Sequence, residues 1–410
     1  MTDHRAITRR GLVKWGLLST AFTMPFGRHL AAQVGGRHES ELFPGLHLPG
    51  GGQLDVRLTV DPHNSDPDIV EIASRLKPYN VESWGTEYRR AAEKNEQLAD
   101  QFAQDGRKVT ASEYYLRAAG FYSTGCWPMP EDDPRMLPMV NKLVEVTAKA
   151  NTLVPPPFER VEVPYDNTTL TAYFTKPRGP ERRFPTVFTY GGADTIVTNG
   201  AFGAAYNARG MAHLAMDSPG QGLALRLKHL HAPPDAERIG KAVIDYLVTR
   251  SDVDANRIGI YGLSMGGYGA PRCASGDKRI KACAVSSAAY SLREDIFDYF
   301  PPIQERVRWI IGANDLAGAR KRLADFTLEG RAHLIECPML IGYSKDDRIM
   351  DPQGAFNLYK AAVNSRREMV EGIGHNQAAN AGGPRPLRPP VIPDWMAKQL
   401  QVDIASTASR

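Results

Sequence analysis

Three side chains in this chain of 410 residues have the types and the order that nucleophilic catalysis needs: Ser264, Asp347 and His375. A serine hydroxyl attacks only when a base takes its proton. An imidazole can be that base, and a carboxylate is needed to orient the imidazole. Ser264 lies in Gly262-Leu263-Ser264-Met265-Gly266, a Gly-x-Ser-x-Gly turn. At average glycine and serine usage, roughly one chain of this length in ten contains that pattern by chance. Its surroundings carry more weight. His375 lies in the glycine-rich stretch Gly372-Ile373-Gly374-His375-Asn376, and Asp347 in Lys345-Asp346-Asp347-Arg348-Ile349-Met350. Asp346 is the competitor for the acid role.

These residues need strand ends to hold them. Arg257–Tyr261 is an apolar, β-branched run that reads as a buried strand climbing to the serine turn, and small helix-compatible residues follow it. Such a strand-to-helix turn pushes the hydroxyl out over the end of a sheet. Side chains at Gly262 or Gly266 are expected to collide with the neighbouring strand and helix. Met339–Tyr343 and Arg367–Glu371 read as the strands that precede the acid and the histidine. The tetrahedral oxyanion needs backbone amides in place before reaction. Met265, directly after the serine, and Gly192, in Tyr190-Gly191-Gly192-Ala193 after the strand Thr186–Tyr190, are the candidates.

Further strands are expected at Phe158–Tyr165, Leu170–Lys176, Met211–Met216 and Ile280–Ser286, with helices at Ala201–Arg209, Asp235–Thr249, Gln353–Val363 and Pro393–Gln401. Alternating strands and helices predict an α/β fold, a mostly parallel sheet with helices on both faces. Apolar residues at helical spacing (Ile69, Ile72 and Leu76; Trp84, Tyr88, Ala91, Ala92 and Leu98; Tyr114, Tyr115, Ala118, Ala119 and Tyr122; Met139, Leu143 and Val146) predict an all-helical N-terminal cap, broken at Gly125-Cys126-Trp127-Pro128-Met129-Pro130. Val154-Pro155-Pro156-Pro157 is a stiff boundary. The resulting division is a signal at 1–32, a loop-rich lead-in at 33–66, a helical cap at 67–154, a catalytic domain at 155–402 with a helical insertion over about 291–332, and a tail at 403–410.

Composition narrows the function classes. The formal net charge of +4 is small and much of the excess sits near the N-terminus, so nucleic acid is not an expected partner. No apolar run reaches membrane-spanning length. Thr8-Arg9-Arg10-Gly11-Leu12-Val13-Lys14, a short apolar region and small residues around Ala31-Ala32 read as a twin-arginine-type export signal, giving a periplasmic or secreted protein that begins near Gln33. Leu30 fits the small-x-small cleavage rule poorly. The four cysteines, Cys126, Cys273, Cys283 and Cys337, match no zinc or redox spacing and read as free thiols. His229-Leu230-His231 has no carboxylate or cysteine at ligand spacing, so neither a metal nor a cofactor is expected. The expected partner is a small-molecule substrate, with a homodimer left open.

The order Ser264…Asp347…His375, with each residue just past a strand, resembles that of the α/β-hydrolases. Within them, Gly191-Gly192-Ala193-Asp194, Asp217-Ser218-Pro219-Gly220-Gln221-Gly222 and Pro271-Arg272…Arg279-Ile280-Lys281-Ala282 resemble one branch. It contains 2,6-dihydroxypseudooxynicotine hydrolase, the FrsA-like proteins and the fungal polyketide-shortening hydrolases. The likeness runs from about residue 65 to 380. Asp-Arg-Ile-Met matches the acid-then-apolar pattern of such loops, which favours Asp347 and leaves Asp346 as a solvated neighbour. The resemblance implies hydrolysis of a carbon–carbon bond next to a ketone in an aromatic or polyketide-like compound. Ester hydrolysis is the alternative, and a non-catalytic binding protein on the same scaffold is a third reading. The resemblance also implies an accessory acid at Asp194, where the nicotine-degrading enzyme carries a longer glutamate. A prolyl-oligopeptidase-type enzyme is disfavoured because no propeller-sized N-terminal domain is present.

Overall fold

The computed structural model describes residues 37–39, 47–49, 66–77, 80–154, 158–178, 182–193, 195–197, 203–372, 374–375 and 391–402. The expected export signal, Asp194 and the tail from residue 403 lie outside the described residues. In the lead-in, β1 (Arg37–Glu39) pairs antiparallel with β2 (His47–Pro49), two short strands where loop was expected.

Four helices follow: α1 (Pro67–Arg75), α2 (Val81–Gln104), α3 (Lys108–Cys126) and α4 (Met136–Leu153). Asn80 caps α2, its side chain accepting from the Ser83 amide at 2.8 Å. Gly106, at φ +75°, turns the chain between α2 and α3. The apolar stripes meet in one core that holds Trp84, Tyr88, Tyr115, Tyr122, Leu143 and Val146. Ile196, from the loop after the strand Phe184–Tyr190, and Leu223, from the short helix Gly222–Lys228, belong to the same core, so the helical layer is docked on the sheet's loop edge.

The sheet comprises β3 (Glu159–Tyr165), β4 (Thr168–Thr175), β5 (Phe184–Tyr190), β6 (Ala212–Met216), β7 (Val253–Leu263), β8 (Ile280–Ser286), β9 (Met339–Tyr343) and β10 (Arg367–Glu371). Their order is β10-β9-β8-β7-β5-β6-β4-β3. The pairs from β6 to β10 are parallel, and β4 is antiparallel to both β3 and β6. β5 is buried at every position, as a strand covered on both faces must be, whereas the edge strand β3 alternates. From β5 the chain adds β6 on one side and then β7 on the other. The loops after β5 and β7 therefore diverge at a topological switch point, where α/β sheets open a crevice.

The covering helices are α5 (Ala204–Asn207), α6 (Gly222–Lys228), α7 (Glu237–Thr249), α8 (Gly266–Gly276), α9 (Gln304–Ile311), α10 (Leu316–Arg322), α11 (Pro352–Ala361) and α12 (Val391–Gln399). Of the helix read at Ala201–Arg209, the described residues form only the single turn of α5. α6 was not expected, because seven residues are too short for a helical period to stand out. The 291–332 insertion is not continuous helix. A π-turn at Arg293–Asp298 leads to a 3₁₀ turn at Pro301–Ile303, and α9 ends at Gly312, at φ +68°. The Pro301-Pro302 pair supplies no backbone donors to carry a helix through.

Candidate active site

Ser264 stands at the end of β7 with φ +54°, the left-handed region that a non-glycine residue enters only when its surroundings compel it. The glycines beside it explain how. A Cβ on Gly262 would fall on the Gly266 carbonyl and within 2.7 Å of the Ala270 Cβ. A Cβ on Gly266 would fall on the Tyr190 carbonyl, so β5, β7 and α8 close on one another only without side chains there. The Ser264 amide donates to the Ser286 carbonyl at 3.1 Å, which ties the turn to the end of β8.

The three residues singled out by type and order come together. His375 Nε2 lies 2.9 Å from Ser264 Oγ. His375 Nδ1 lies 2.9 Å from Asp347 Oδ2 and 3.1 Å from Oδ1. All three side chains are buried. With Nδ1–H donating to the carboxylate, the Nε2 lone pair faces the hydroxyl and can accept its proton. Burial pushes the Asp347 carboxyl up, but the hydrogen bonds from His375, the Met350 amide and the Ser287 hydroxyl outweigh it and hold the group below its ordinary value. The Ile349 and Met350 amides each reach Oδ1 at 2.9 Å, and Ser287 Oγ reaches Oδ2 at 2.7 Å. The carboxylate is thus held ionised and fixed in rotation.

Asp346 is exposed, but it is more than a solvated neighbour: its Oδ1 accepts from the Gly374 amide at 2.8 Å. Two consecutive aspartates therefore hold the histidine loop, one by the imidazole and one by the backbone next to it. Both lie in the turn after β9, and the position of the histidine loop decides which does which. The Tyr299 hydroxyl donates to the Asp347 carbonyl at 2.9 Å and brings the insertion onto the same loop.

Of the two amides expected to face an oxyanion, Met265 opens α8, where the first amides have no intrahelical acceptor. The Gly192 position lies against the serine, and a Cβ there would sit 3.1 Å from Ser264 Cβ. Its amide, however, donates to Thr195 Oγ1 at 2.8 Å, so it is not standing open. Thr195 carried no motif and was not foreseen. Behind this loop, Gln221 Nε2 donates to the Gly191 carbonyl at 2.6 Å. Asp217 is fully buried, accepting from the Val197 amide at 2.8 Å and the Leu223 amide at 2.9 Å, and burial pushes its carboxyl up to about 7. Gly222, at φ +43°, is the one residue type that fits against that carboxyl group. The Asp217–Gly222 motif is therefore the brace of the loop after β5. Its sequence signal was present, but its mechanical role was not legible.

A buried charge cluster joins the layers. Arg226 Nη2 lies 2.8 Å from Glu131 Oε1, and Arg306 Nη1 lies 3.2 Å from the same oxygen, with these side chains no more than 10% exposed. Arg306 also donates to the Trp127 and Met129 carbonyls at 2.6 and 2.8 Å. The cap segment 127–131 is gripped from α6 and from α9 at once. His231 Nδ1 is 2.9 Å from the Trp309 carbonyl, and His229 ends α6 at φ +54°, so that pair is taken up in chain turns. The four cysteines are free.

An eight-stranded, mostly parallel sheet with a serine turn at its switch point, an acid past β9 and a histidine past β10 defines the α/β-hydrolase fold. The profile of the family described as FrsA-like esterase matches residues 65–295, more than half of the chain, and the chain belongs to that family. A prolyl oligopeptidase family profile matches residues 240–376, the part that holds all three loops. The α/β-hydrolase xenA of Xenoacremonium sinensis is 33% identical over 242 residues, 55% of this chain and 57% of xenA, so the match spans little more than half of that relative. The hydrolyase poxO of Penicillium oxalicum is 25% identical over 336 residues, 70% of this chain and 80% of poxO. The crystal structure of 2,6-dihydroxy-pseudo-oxynicotine hydrolase superposes with a TM-score of 0.70 at 25% identity, covering 82% of this chain and 93% of that one. AbyA5, at 18% identity and a TM-score of 0.65, shares the fold.

Proposed function

We propose that the protein is a serine hydrolase that cleaves a carbon–carbon bond next to a ketone in a small aromatic or polyketide-like compound. The observation that carries the nucleophilic reading is the unbroken hydrogen-bond chain from Ser264 Oγ through His375 to Asp347. His375 Nε2 takes the hydroxyl proton as Oγ attacks the ketone carbon. The oxyanion is received by the Met265 amide and, once the Thr195 hydroxyl swings aside, by the Gly192 amide. Collapse expels a carbanion stabilised as an enolate, which takes the proton from His375, and water then releases the acyl group by the same base. Asp194, which follows Gly192-Ala193 in the sequence, is the candidate accessory acid. The structural likeness to 2,6-dihydroxy-pseudo-oxynicotine hydrolase over nearly all of that chain supports carbon–carbon cleavage. The family's description as esterase favours the second reading, in which an alkoxide leaves instead.

Wild type and Ser264→Ala incubated with a β-diketone and a shape-matched ester, with product analysis, test this. Cleavage of the diketone by wild type alone supports the proposal. Cleavage of the ester alone moves the assignment to the second reading, and activity retained in Ser264→Ala removes the triad. We also propose export by the Arg9-Arg10 signal. N-terminal sequencing of protein secreted by its native host should begin near Gln33, and an intact N-terminus on exported protein would overturn that.

A further inference from the structure

Ser287 stands just past β8, is 3% exposed and has φ +53°, a second serine in the left-handed region. Its backbone neighbourhood is tied to the nucleophile turn: the Ser286 carbonyl accepts from the Ser264 amide at 3.1 Å, and a Cβ on Gly267 would lie 2.5 Å from the Ser287 carbonyl. On the other side the Ala288 amide donates to the Gly342 carbonyl of β9 at 3.1 Å. From that position Ser287 Oγ donates to Asp347 Oδ2 at 2.7 Å, the same oxygen that lies nearest His375 Nδ1. The Oδ1 partners, Ile349 and Met350, belong to the acid's own loop and would travel with it. Among the described residues, Ser287 is the donor that links the carboxylate to the nucleophile's side of the sheet.

We propose that Ser287 is a positioning residue of the triad, fixing the Asp347 carboxylate relative to the Ser264 turn and keeping its Oδ2 a restrained partner for the imidazole. The inference rests on the triad reading above. It acts through Asp347 and His375. A carboxylate oxygen that loses one donor becomes a more basic acceptor, so the imidazolium opposite it holds its proton more tightly. Removing the hydroxyl should therefore move the protonation of the base to higher pH, and the loss of the 2.7 Å restraint on the carboxylate should misalign the imidazole and so slow deprotonation of Ser264.

The test uses a fluorophosphonate probe, which reads activation of Ser264 without knowledge of the substrate. The maximal labelling rate and the half-saturating probe concentration are measured from pH 5 to 9 for wild type, Ser264→Ala, Ser287→Ala and Ser287→Gly. Both Ser287 variants should lower the maximal rate about tenfold, as expected for loss of one charge-assisted hydrogen bond. The half-saturating concentration should stay within about twofold, and the acid limb of the profile should move to higher pH. Glycine relieves the backbone strain that alanine keeps, so equal losses in the two variants assign the effect to the hydroxyl. A wild-type rate, an unmoved acid limb, or loss in Ser287→Ala alone would overturn the inference. An unlabelled wild type, or a labelled Ser264→Ala, would instead bring down the triad reading and this inference with it.

Discussion

Removing the carboxylate of Glu131 should loosen the cap from the catalytic domain by a calculable amount. Glu131 Oε1 is shared by Arg226 at 2.8 Å and Arg306 at 3.2 Å, and the Glu131 and Arg226 side chains are 5% and 4% exposed. The two arginines are not equally dependent on it. Arg306 keeps the Trp127 and Met129 carbonyls, whereas Nε and Nη1 of Arg226 have no acceptor among the described residues. Glu131→Ala therefore strands the Arg226 guanidinium, and breaking such a buried pair costs about 3–5 kcal/mol. Arg226→Met leaves Glu131 paired with Arg306 and should cost about 1–3 kcal/mol. The double variant removes the stranded charge along with its partner, so it should be more stable than the sum of the single losses by at least about 2 kcal/mol. Urea unfolding followed by tryptophan fluorescence measures the cycle, since Trp84 and Trp127 lie in or against the cap core. Additivity within about 0.5 kcal/mol would falsify the claim that these charges act as one buried unit.

The other expectations concern the site and its brace. Asp347→Asn should lower the rate about 10³–10⁴-fold by putting the imidazole in the wrong tautomer, while Asp346→Asn should cost no more than about tenfold because it loosens only the Gly374 amide; the reverse order in a labelling assay would exchange their roles. For Asp217 the folded-state carboxyl is pushed up to about 7 from an ordinary 3.8, so the native state binds more protons than the unfolded chain between those values. Its contribution to stability is then fully present below about pH 3.8 and lost as pH rises through 7. The stability gap between wild type and Asp217→Asn should accordingly narrow from pH 5 to pH 8 in denaturant titrations, and a gap that widens would contradict the assignment.

Much of the site was legible along the chain because its signals are local. A Gly-x-Ser-x-Gly turn after an apolar strand needs Gly262 and Gly266 for steric reasons that a few neighbouring residues reveal. Ser264, Asp347 and His375 each follow a strand of the parallel part of the sheet, and parallel strands deliver their C-terminal ends to one edge. The sheet itself was readable from the change of apolar period at Val154-Pro155. The short elements were not: α6 and the broken turns of the insertion are too brief for periodicity, and tertiary contacts hold them.

Local signals in the chain specify the order of the strands, the turn that carries Ser264 and the residue types that could activate it. Tertiary structure alone decided the division of labour between Asp346 and Asp347, since both lie in the turn after β9 and only the position of the histidine loop tells which one meets the imidazole. It also decided that the Gly192 amide is covered by Thr195, that Asp217 braces the loop beside the serine, and that Ser287 reaches Asp347 from another strand. Those contacts join residues up to 60 positions apart. Their specificity comes from distances of about 3 Å between groups that no local pattern relates.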